Sequence, residues 1–272
     1  MSEKMTPEKP MSEKTIPEKV NTIATEAKQE VQTARRPWYH LSRVARILLV
    51  VYAVQLALFG LLAWWVHVNS VLPIDVAITR EFQENHAPWL QTTMDIVSYL
   101  GNNTLLFTLL VILTGLIFWL LELRLEAVFI VALSVVSAIL NFVIKLLVAR
   151  PRPTASLVEV LQKTSGASFP SGHVMSYLAF WGLLFSLGII LFVGWRWWRI
   201  VLLVISALFV ALVGPSRIYL GDHWASDVLG AYIIGGVLLG ITLWIYLQLK
   251  QRGILESSRW KQYKIFRTFP WT

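Results

Sequence analysis

The sequence predicts an all-helical, polytopic membrane protein: six transmembrane helices in a bundle, preceded by a disordered polar N-terminal tail. Of the 272 residues, 56% are hydrophobic and only 15% are charged, with a mean hydropathy of +0.60. A water-soluble domain usually carries about 25% charged residues. Six apolar stretches each approach the roughly 20 residues that a helix needs to cross the hydrocarbon core. The composition therefore excludes an ordinary soluble globule, and its hydrophobicity excludes a disordered chain.

The first 40 residues differ in composition from the rest. A decapeptide rich in Glu, Lys and Pro at Met1–Pro10 is nearly repeated at Met11–Val20. Two such copies are too few and too polar to build a repeat fold, and they lack the apolar core of a secretory signal. We therefore expect a disordered tail at 1–40, a membrane domain at 41–250 and a basic cytoplasmic tail at 251–272.

The apolar stretches define the predicted helices in order. They lie at about 46–66, 104–121, 126–148, 174–193, 199–214 and 226–248. The fifth ends at Gly214-Pro215, where we expect the helix to stop because proline lacks an amide hydrogen.

The distribution of Lys and Arg predicts the orientation. Placing the N-terminus in the cytoplasm puts most of these residues on the inner side of a plasma or inner membrane. Both termini are then cytoplasmic, and the loops at 67–103, 149–173 and 215–225 lie on the outer face. The formal charge of +8 is explained by this bias and by anionic headgroups, so we expect the lipid bilayer and no nucleic acid as partner. The absence of cysteine excludes disulfides and thiolate metal sites.

The first candidate functional residues lie at the end of the third apolar stretch. Lys145 falls in its last turns, and Arg150 and Arg152 are each followed by proline, which disfavours helix at the preceding residue. We therefore expect Lys145 inside the helix and Arg152 on an extended segment beyond it. Taken alone, each of these cations is better explained by a side chain that reaches the membrane interface.

A second group, Ser171, Gly172 and His173, comes directly before the fourth stretch. The N-terminus of a helix presents unpaired N–H groups to an anion, and glycine lets an oxyanion approach the backbone. His173 can donate or accept a proton there. Taken alone, Ser171 and Gly172 are better explained as a helix cap.

The third group contains Arg217, His223 and Asp227. His223 and Asp227 are four residues apart, which places them on one face of a helical turn. A carboxylate bound to one imidazole nitrogen fixes the tautomer and leaves the other nitrogen able to attack. Arg217 offers a planar fork suited to phosphate oxygens. Asp222 precedes His223, and because adjacent side chains point apart we expect it at the rim of the site.

Together these groups meet the demands of phosphoryl transfer: positive charge around the phosphoryl oxygens, an in-line nucleophile and an acid for the leaving oxygen. The sequence shows no carboxylate cluster and no His-x-x-x-His pair of the kind that holds a metal. We therefore expect neither a metal ion nor another cofactor.

The chain resembles the type-2 phosphatidic acid phosphatase family, which shares its core fold with the vanadium haloperoxidases. The family pattern consists of Lys, six residues, Arg-Pro; then Pro-Ser-Gly-His; then Ser-Arg, five residues, His, three residues, Asp. Every position is occupied here, by Lys145 to Pro153, Pro170 to His173 and Ser216 to Asp227. The resemblance covers roughly 45–250.

The resemblance implies a role for each matched residue. His223 attacks phosphorus to form a phosphohistidine, Asp227 orients it, and His173 protonates the leaving oxygen. Water then hydrolyses the intermediate. The phosphoryl oxygens are held by Lys145, Arg152, Ser171, Arg217 and the N–H of Gly172.

The expected function is that of an integral-membrane lipid phosphatase whose active site is on the outer face. Candidate substrates are phosphatidic acid, phosphatidylglycerol phosphate, diacylglycerol pyrophosphate and a polyprenyl diphosphate such as undecaprenyl diphosphate. One alternative is a vanadate-dependent haloperoxidase, although the resemblance associates that activity with soluble proteins. Another is a catalytically silent relative that binds or transports lipid, which should have lost His223, Asp227 or His173.

Overall fold

The computed structural model describes residues 43–162, 164–192 and 196–255. Within these ranges all regular structure is helical, which confirms the predicted class. The helices are α1 (Arg43–Val68), α2 (Pro73–Gln83), α3 (Pro88–Asn102), α4 (Thr104–Leu120), α5 (Arg124–Val148), α6 (Gly172–Leu191), α7 (Trp197–Tyr219) and α8 (Ala225–Gln251). Helix α6 includes one π-helical turn at Leu178–Gly182.

The contacts between residues divide the chain into two units. Of the described residues, those from Leu49 to Leu255 belong to one compact unit, whereas Arg43–Leu48, the start of α1, belong to the other. The tail predicted at 1–40 lies outside the described residues, as does most of the tail predicted at 251–272, from residue 256 onward.

Five helices are each long and apolar enough to cross a membrane, namely α1 from Arg46, α5, α6, α7 and α8. Helices α3 and α4 meet the same criterion only as a pair, and this pair is bent by 72° at its junction. The described bundle therefore has five spans, or six as predicted when the bent pair counts as one.

Helix α6 forms the centre of the bundle. Of its most apolar stretch 61% is buried, against 33% or less for the other single spans, and it packs against α5, α7 and α8. Close packing with α8 depends on a small residue, because a β-carbon at Gly235 would lie 2.9 Å from the side chain of Leu178. Small residues commonly allow helices to approach each other in membranes. The outward surfaces instead carry exposed Leu, Ile, Val and Trp side chains.

Helix α7 continues through Pro215 to Tyr219, so the prediction that it stops at Gly214-Pro215 is wrong. Proline usually breaks a helix because it lacks an N–H and its ring crowds the preceding turn. Here the hydroxyl of Tyr232, from α8, accepts from the N–H of Gly214 at 3.3 Å and donates to the carbonyl of Val210 at 2.5 Å. A side chain from a neighbouring helix thus satisfies the backbone of the disturbed turn, as is common in membrane proteins. As a result Arg217 lies on a helix rather than in a loop.

The predicted loop at 67–103 contains two helices, α2 and α3, each of which begins at a proline. Proline is favoured in this first position because its N–H would have no helical partner. The buried residues of α2 are the polar Asp75, Thr79 and Gln83, which follow one another at intervals of four. Helix α2 thus directs a polar face into the protein.

The two ends of the bundle differ in their buried charges. At one end the carboxylate of Glu126, in the first turn of α5, accepts from Tyr246 at 2.8 Å and from Lys250 at 2.5 Å in α8. The last turn of α5, the first turns of α6 and α8 and the last turn of α7 meet at the other end, which we call the site end.

Candidate active site

Lys145 and Arg152 lie on either side of the end of α5, as predicted. The helix ends at Val148, and Ala149 follows it in the left-handed conformation with φ of 48°. Lys145 is in the last helical turn, and a β-carbon at Gly172 would be 3.9 Å from its Nζ. The ammonium group of Lys145 therefore faces the start of α6.

His223 lies in the turn between α7 and α8. The turn requires Gly221, whose φ is 70° and where a β-carbon would collide with the carbonyl oxygen of Glu159. Nδ1 of His223 lies 3.5 Å from a carboxylate oxygen of Asp227 and 3.3 Å from the hydroxyl of Ser168. The predicted proximity of His223 and Asp227 is confirmed, although only Asp227 belongs to the helix.

The other ring nitrogen of His223 faces a cation. Nε2 lies 3.4 Å from Nη1 of Arg152, and a guanidinium can only donate hydrogen bonds. This contact assigns the lone pair to Nε2 and the hydrogen to Nδ1, on the side of Asp227. Burial lowers the pKa of His223 well below its ordinary value, and the positive charges of Arg152, Arg217 and Lys145 lower it further. The ring is therefore neutral at neutral pH.

Asp227 is held by a group of buried residues. Its Oδ2 accepts from the backbone N–H of Trp224 at 2.9 Å and from the hydroxyl of Ser168, and its Oδ1 accepts from Arg150 at 2.6 Å. Each of these donors favours the ionised carboxylate. Asp227 thereby presents a fixed negative charge to the imidazole of His223.

Arg150 is a residue of the site to which the sequence analysis assigns no role. Its side chain has no exposed surface, and it donates to Asp227, to Asp75 at 2.7 Å, to Ser226 at 2.7 Å and to the carbonyl of Ser70 at 3.0 Å. From the sequence alone, Arg150 is one of several cations in a predicted outer loop. The available signals were the repeated Arg-Pro and the single Asp in the apolar stretch around α2.

Arg152 is half-buried and oriented by backbone carbonyls. It donates to Gly166 at 3.1 Å and to Asp222 at 2.9 Å. Burial lowers its pKa, an effect that the charge of Asp227 opposes.

Arg217 is fully buried in the last turn of α7. It donates through Nη1 to Asn102 and Gln162, both at 3.2 Å, and through Nη2 to the carboxylate of Asp222. Its Nε is buried and has no hydrogen-bond partner among the described residues. The two terminal nitrogens thus fix the guanidinium, and the N–H of Nε is unused.

Asp222 is buried, with 1% of its surface exposed, so its predicted position at the rim is wrong. It forms an ion pair with Arg217 and accepts from the hydroxyl of Thr164 at 2.9 Å. The expectation failed because it assumed a regular helix or strand, in which neighbouring side chains diverge. Residues 220–223 instead form a tight turn that directs both Asp222 and His223 inward.

Ser171 immediately precedes α6, but its hydroxyl forms no cap on that helix. The hydroxyl is fully buried and has no partner among the described residues. Buried polar groups nearly always have a partner, so the hydroxyl of Ser171 is unusual in this respect, as is Nε of Arg217. The capping explanation therefore does not account for Ser171.

His173 lies in the first turn of α6, beside the junction of α3 and α4. Its Nε2 lies 2.8 Å from Oδ1 of Asn102. Within the described part of the chain, no three His, Cys, Asp or Glu side chains are close enough together to hold a metal ion.

The structure thus brings together all eight residues that the sequence analysis selected. Comparison with known proteins agrees with this arrangement. Residues 125–251 match the family model described as the PAP2 superfamily. The chain is 32% identical over 184 residues to phosphatidylglycerophosphatase B of Bacillus subtilis strain 168, across 66% of this chain and 87% of that protein. It is 38% identical over 86 residues to phosphatidylglycerophosphatase B of Escherichia coli K12, across 31% of each chain.

The fold is also similar to a solved structure, the transmembrane PAP2 type phosphatidylglycerolphosphate phosphatase from Bacillus subtilis. The TM-score is 0.62 at 25% identity, across 74% of this chain and 98% of that one. Fold, site and relatives together define a multi-pass membrane phosphatase. More particularly, the chain belongs to the PAP2 superfamily of lipid phosphatases, which confirms the resemblance read from the three motifs.

Proposed function

We propose that the chain hydrolyses the terminal phosphate of a membrane lipid phosphate or diphosphate through a phosphohistidine on His223. The observation that carries the proposal is the orientation of this imidazole. Nδ1 faces the carboxylate of Asp227, while Nε2 faces the guanidinium of Arg152. The carboxylate stabilises the charge that develops on the attacking ring, and the guanidinium beside Nε2 stabilises the oxygens of the phosphoryl group under attack.

In the first step the lone pair on Nε2 of His223 attacks phosphorus, and the bond from phosphorus to the leaving oxygen breaks. The positive charge that develops on the imidazole is stabilised by Asp227. His173 donates a proton to the leaving oxygen, which departs as an alcohol or a lipid phosphate. In the second step a water molecule attacks the phosphohistidine and gives a proton to His173, releasing phosphate and restoring both histidines.

The phosphoryl oxygens are held by Lys145, Arg152 and Arg217 together with the Ser171 hydroxyl and the Gly172 N–H. Two of these groups, Ser171 Oγ and Arg217 Nε, are buried donors without a partner among the described residues. Fixed donors of this kind stabilise a transition state by about 3–4 kcal/mol each, because they need no reorganisation during the reaction. The same fixed cations supply the charge that metal ions supply in many phosphoryl transferases, so we propose a metal-independent reaction.

Among the candidate substrates we propose phosphatidylglycerol phosphate first, because both named relatives are phosphatidylglycerophosphatases. Phosphatidic acid, diacylglycerol pyrophosphate and undecaprenyl diphosphate present the same terminal phosphate to the site. In each case the bilayer holds the apolar tail beside the bundle.

We also propose that the site end of the bundle faces the outer side of the membrane. The opposite end carries the basic residues Arg124, Arg199 and Lys250, and such residues favour the cytoplasmic side. The cysteine-free sequence provides a direct test. Single cysteines at Ala155, near the site, and at Gln251, at the opposite end, should differ in labelling by an impermeant maleimide on intact cells. We expect only Ala155→Cys to react; the reverse pattern would contradict the proposed orientation.

The function is tested by phosphate release from purified protein in detergent across the four lipids. His223→Ala and His173→Ala should lose release while eluting from a sizing column like the wild type. Brief reaction with a radiolabelled substrate should trap an acid-labile phosphoenzyme in the wild type and none in His223→Ala. Turnover that persists in His223→Ala would falsify the proposed nucleophile. Dependence on an added divalent ion after treatment with EDTA would contradict the metal-independent reaction.

A further inference from the structure

Asn102 contacts two residues of the candidate site from outside the three motifs. It is the last residue of α3, at the 72° bend between α3 and α4. Its Oδ1 accepts from Nη1 of Arg217 at 3.2 Å and lies 2.8 Å from Nε2 of His173. Nothing in the motif pattern selects this residue.

The contact with Arg217 determines the hydrogen on His173. A guanidinium has only donors, so the atom of Asn102 that faces it must be the amide oxygen. That same oxygen faces Nε2 of His173, and an oxygen acceptor requires a hydrogen on Nε2. The structure therefore fixes both the amide orientation of Asn102 and one hydrogen of the imidazole.

We propose that Asn102 is a positioning residue that holds His173 for proton transfer to the leaving oxygen; this inference rests on the function proposed above. The acid form of His173 carries hydrogens on both nitrogens. The hydrogen on Nε2 stays there and is donated to Oδ1 of Asn102, while the hydrogen on Nδ1 passes to the leaving oxygen as the bond from that oxygen to phosphorus breaks. The neutral ring that remains keeps its Nε2 hydrogen and takes the second proton, from water, on Nδ1.

The packing of the ring agrees with this division between its nitrogens. A β-carbon at Gly101 would collide with Cδ2 of His173 and would lie 2.9 Å from Nε2 and 3.1 Å from Cγ. The edge of the ring that contains Nε2 is therefore against the bend, and the edge that contains Nδ1 points away from it. Only glycine at position 101 permits this approach.

Tyr177 keeps the bend in place. It lies four residues after His173, on the same face of α6. Its hydroxyl donates to the carbonyl of Val97 at 2.5 Å and accepts from the N–H of Gly101 at 3.1 Å. The helix that carries His173 thus binds the last turn of α3 at two points, so Asn102 and His173 are held in a fixed relation.

The two histidines have different anchors, which suits their different roles. The nucleophile His223 has a carboxylate, which stabilises the positive charge that forms on it. The acid His173 has a neutral amide, which orients the ring without adding negative charge that would retain its proton. An oriented acid matters most when the leaving oxygen is a poor leaving group.

The dependence on the leaving group provides the test. Turnover is measured with phosphatidic acid, whose alkoxide needs a proton, and with a nitrophenyl phosphate carrying an alkyl chain on its ring, which leaves without one. Asn102→Ala and Asn102→Leu should lower kcat/KM on phosphatidic acid by at least about tenfold more than on the nitrophenyl ester, within the range of general acid catalysis. The two losses are compared because the lost contact with Arg217 slows both substrates alike. The parameter is kcat/KM because it excludes the later hydrolysis step, in which His173 serves both substrates. His173→Ala should show the same selective loss. Asn102→Asp keeps an oxygen acceptor but adds a negative charge that retains the proton of His173, so its loss should also be larger on phosphatidic acid than on the nitrophenyl ester.

Asn103→Ala is the matched structural control. Asn103 caps α4 by accepting from the N–H of Leu106 at 3.0 Å, and its loss should affect both substrates equally. Equal losses in the two Asn102 variants, with a selective loss in His173→Ala, would overturn the role of Asn102 alone. Equal losses in all three variants would overturn the acid role of His173 as well. Turnover of the nitrophenyl ester by the Asn102 variants shows that they are folded.

Discussion

The guanidinium of Arg150 donates to the carboxylate of Asp227 at 2.6 Å, and neither side chain has any exposed surface. A second guanidinium nitrogen binds Asp75 of α2 at 2.7 Å. The orientation of the proposed nucleophile therefore depends on a chain of contacts from His223 through Asp227 and Arg150 to Asp75. This chain reaches outside all three sequence motifs.

We expect Arg150→Lys to lower both stability and turnover. A single ammonium cannot bind two carboxylates, a hydroxyl and a carbonyl in the geometry of the planar fork, so at least one buried carboxylate loses its partner. The expected cost is about 2–4 kcal/mol in the free energy of unfolding, together with a large fall in phosphate release. Thermal unfolding of the purified protein followed by tryptophan fluorescence checks the first effect, and a phosphate assay checks the second. Arg80→Lys is the control, because Arg80 is exposed and, within the described part of the chain, donates only to the carbonyl of Leu157. Equal effects in the two variants would contradict the role given to Arg150.

Substitution of Asp222 should have a smaller effect than substitution of Asp227, but a measurable one. Asp222→Ala removes one of three partners that orient Arg217, so we expect kcat/KM to fall by about tenfold, equivalent to about 1.4 kcal/mol. Asp227→Ala should reduce activity to the level of His223→Ala. Kinetics on one lipid substrate compare the three variants. Glu84→Ala removes an exposed carboxylate from the same side of the protein and should leave kcat/KM unchanged. If Glu84→Ala lowers kcat/KM as much as Asp222→Ala does, the effect is a general one of charge and not of the contact with Arg217.

The pH profile of kcat/KM should reveal the environment of His223. Attack requires the neutral ring, so activity falls when the ring is protonated at low pH. Because burial and nearby cations lower the pKa of His223, this acidic limb should lie below the ordinary histidine value of 6.5. Arg152→Gln removes one of these cations, so it should raise the pKa and move the limb to higher pH. Arg152→Lys keeps the charge and should leave the limb in place. All variants are measured on one substrate, so the titration of the substrate phosphate is the same in every profile. Identical profiles for the two variants would contradict the assignment of the acidic limb to His223.

Tyr232→Phe should destabilise the protein through α7. The change removes the hydroxyl that binds the backbone of Val210 and Gly214 beside Pro215, at an expected cost of about 1–2 kcal/mol. Tyr99→Phe, in which the removed hydroxyl belongs to an exposed side chain, should leave the midpoint of thermal unfolding unchanged. Equal midpoints for the two variants would show that α7 tolerates Pro215 without help from α8.

The features that the sequence predicts correctly depend on local information. Apolar length reveals the spans, the Arg-Pro pairs place the end of α5, and the motif spacing selects Lys145, His173 and His223. The membrane makes these signals strong, because a span must satisfy its own backbone hydrogen bonds as a helix. These features can be predicted without knowing which distant residues they contact.

The features that the sequence does not predict depend on contacts between distant segments. Pro215 stays helical because Tyr232 arrives from another helix, and Asp222 turns inward because a tight turn places it beside Arg217. Arg150 and Asn102 look like an ordinary loop cation and an ordinary polar residue until the bundle brings Asp75 and His173 to them. Tyr232, Asp75 and His173 lie on other helices than the residues they contact, and Asp222 and Arg217, although only five residues apart, meet through a turn that sequence periodicity does not predict.

The contacts made by Asp75 and Asn102 bear on how this enzyme can be dissected or re-engineered. The family model matches residues 125–251, which include every motif residue but neither of these two side chains. A fragment limited to that region would retain the reacting groups but lose Asp75 and Asn102, which hold Arg150 and His173 in position. A chimera in which an unrelated segment replaces the residues before 125 would lose the same two side chains. Transplantable catalytic units in this fold must therefore begin upstream of α2.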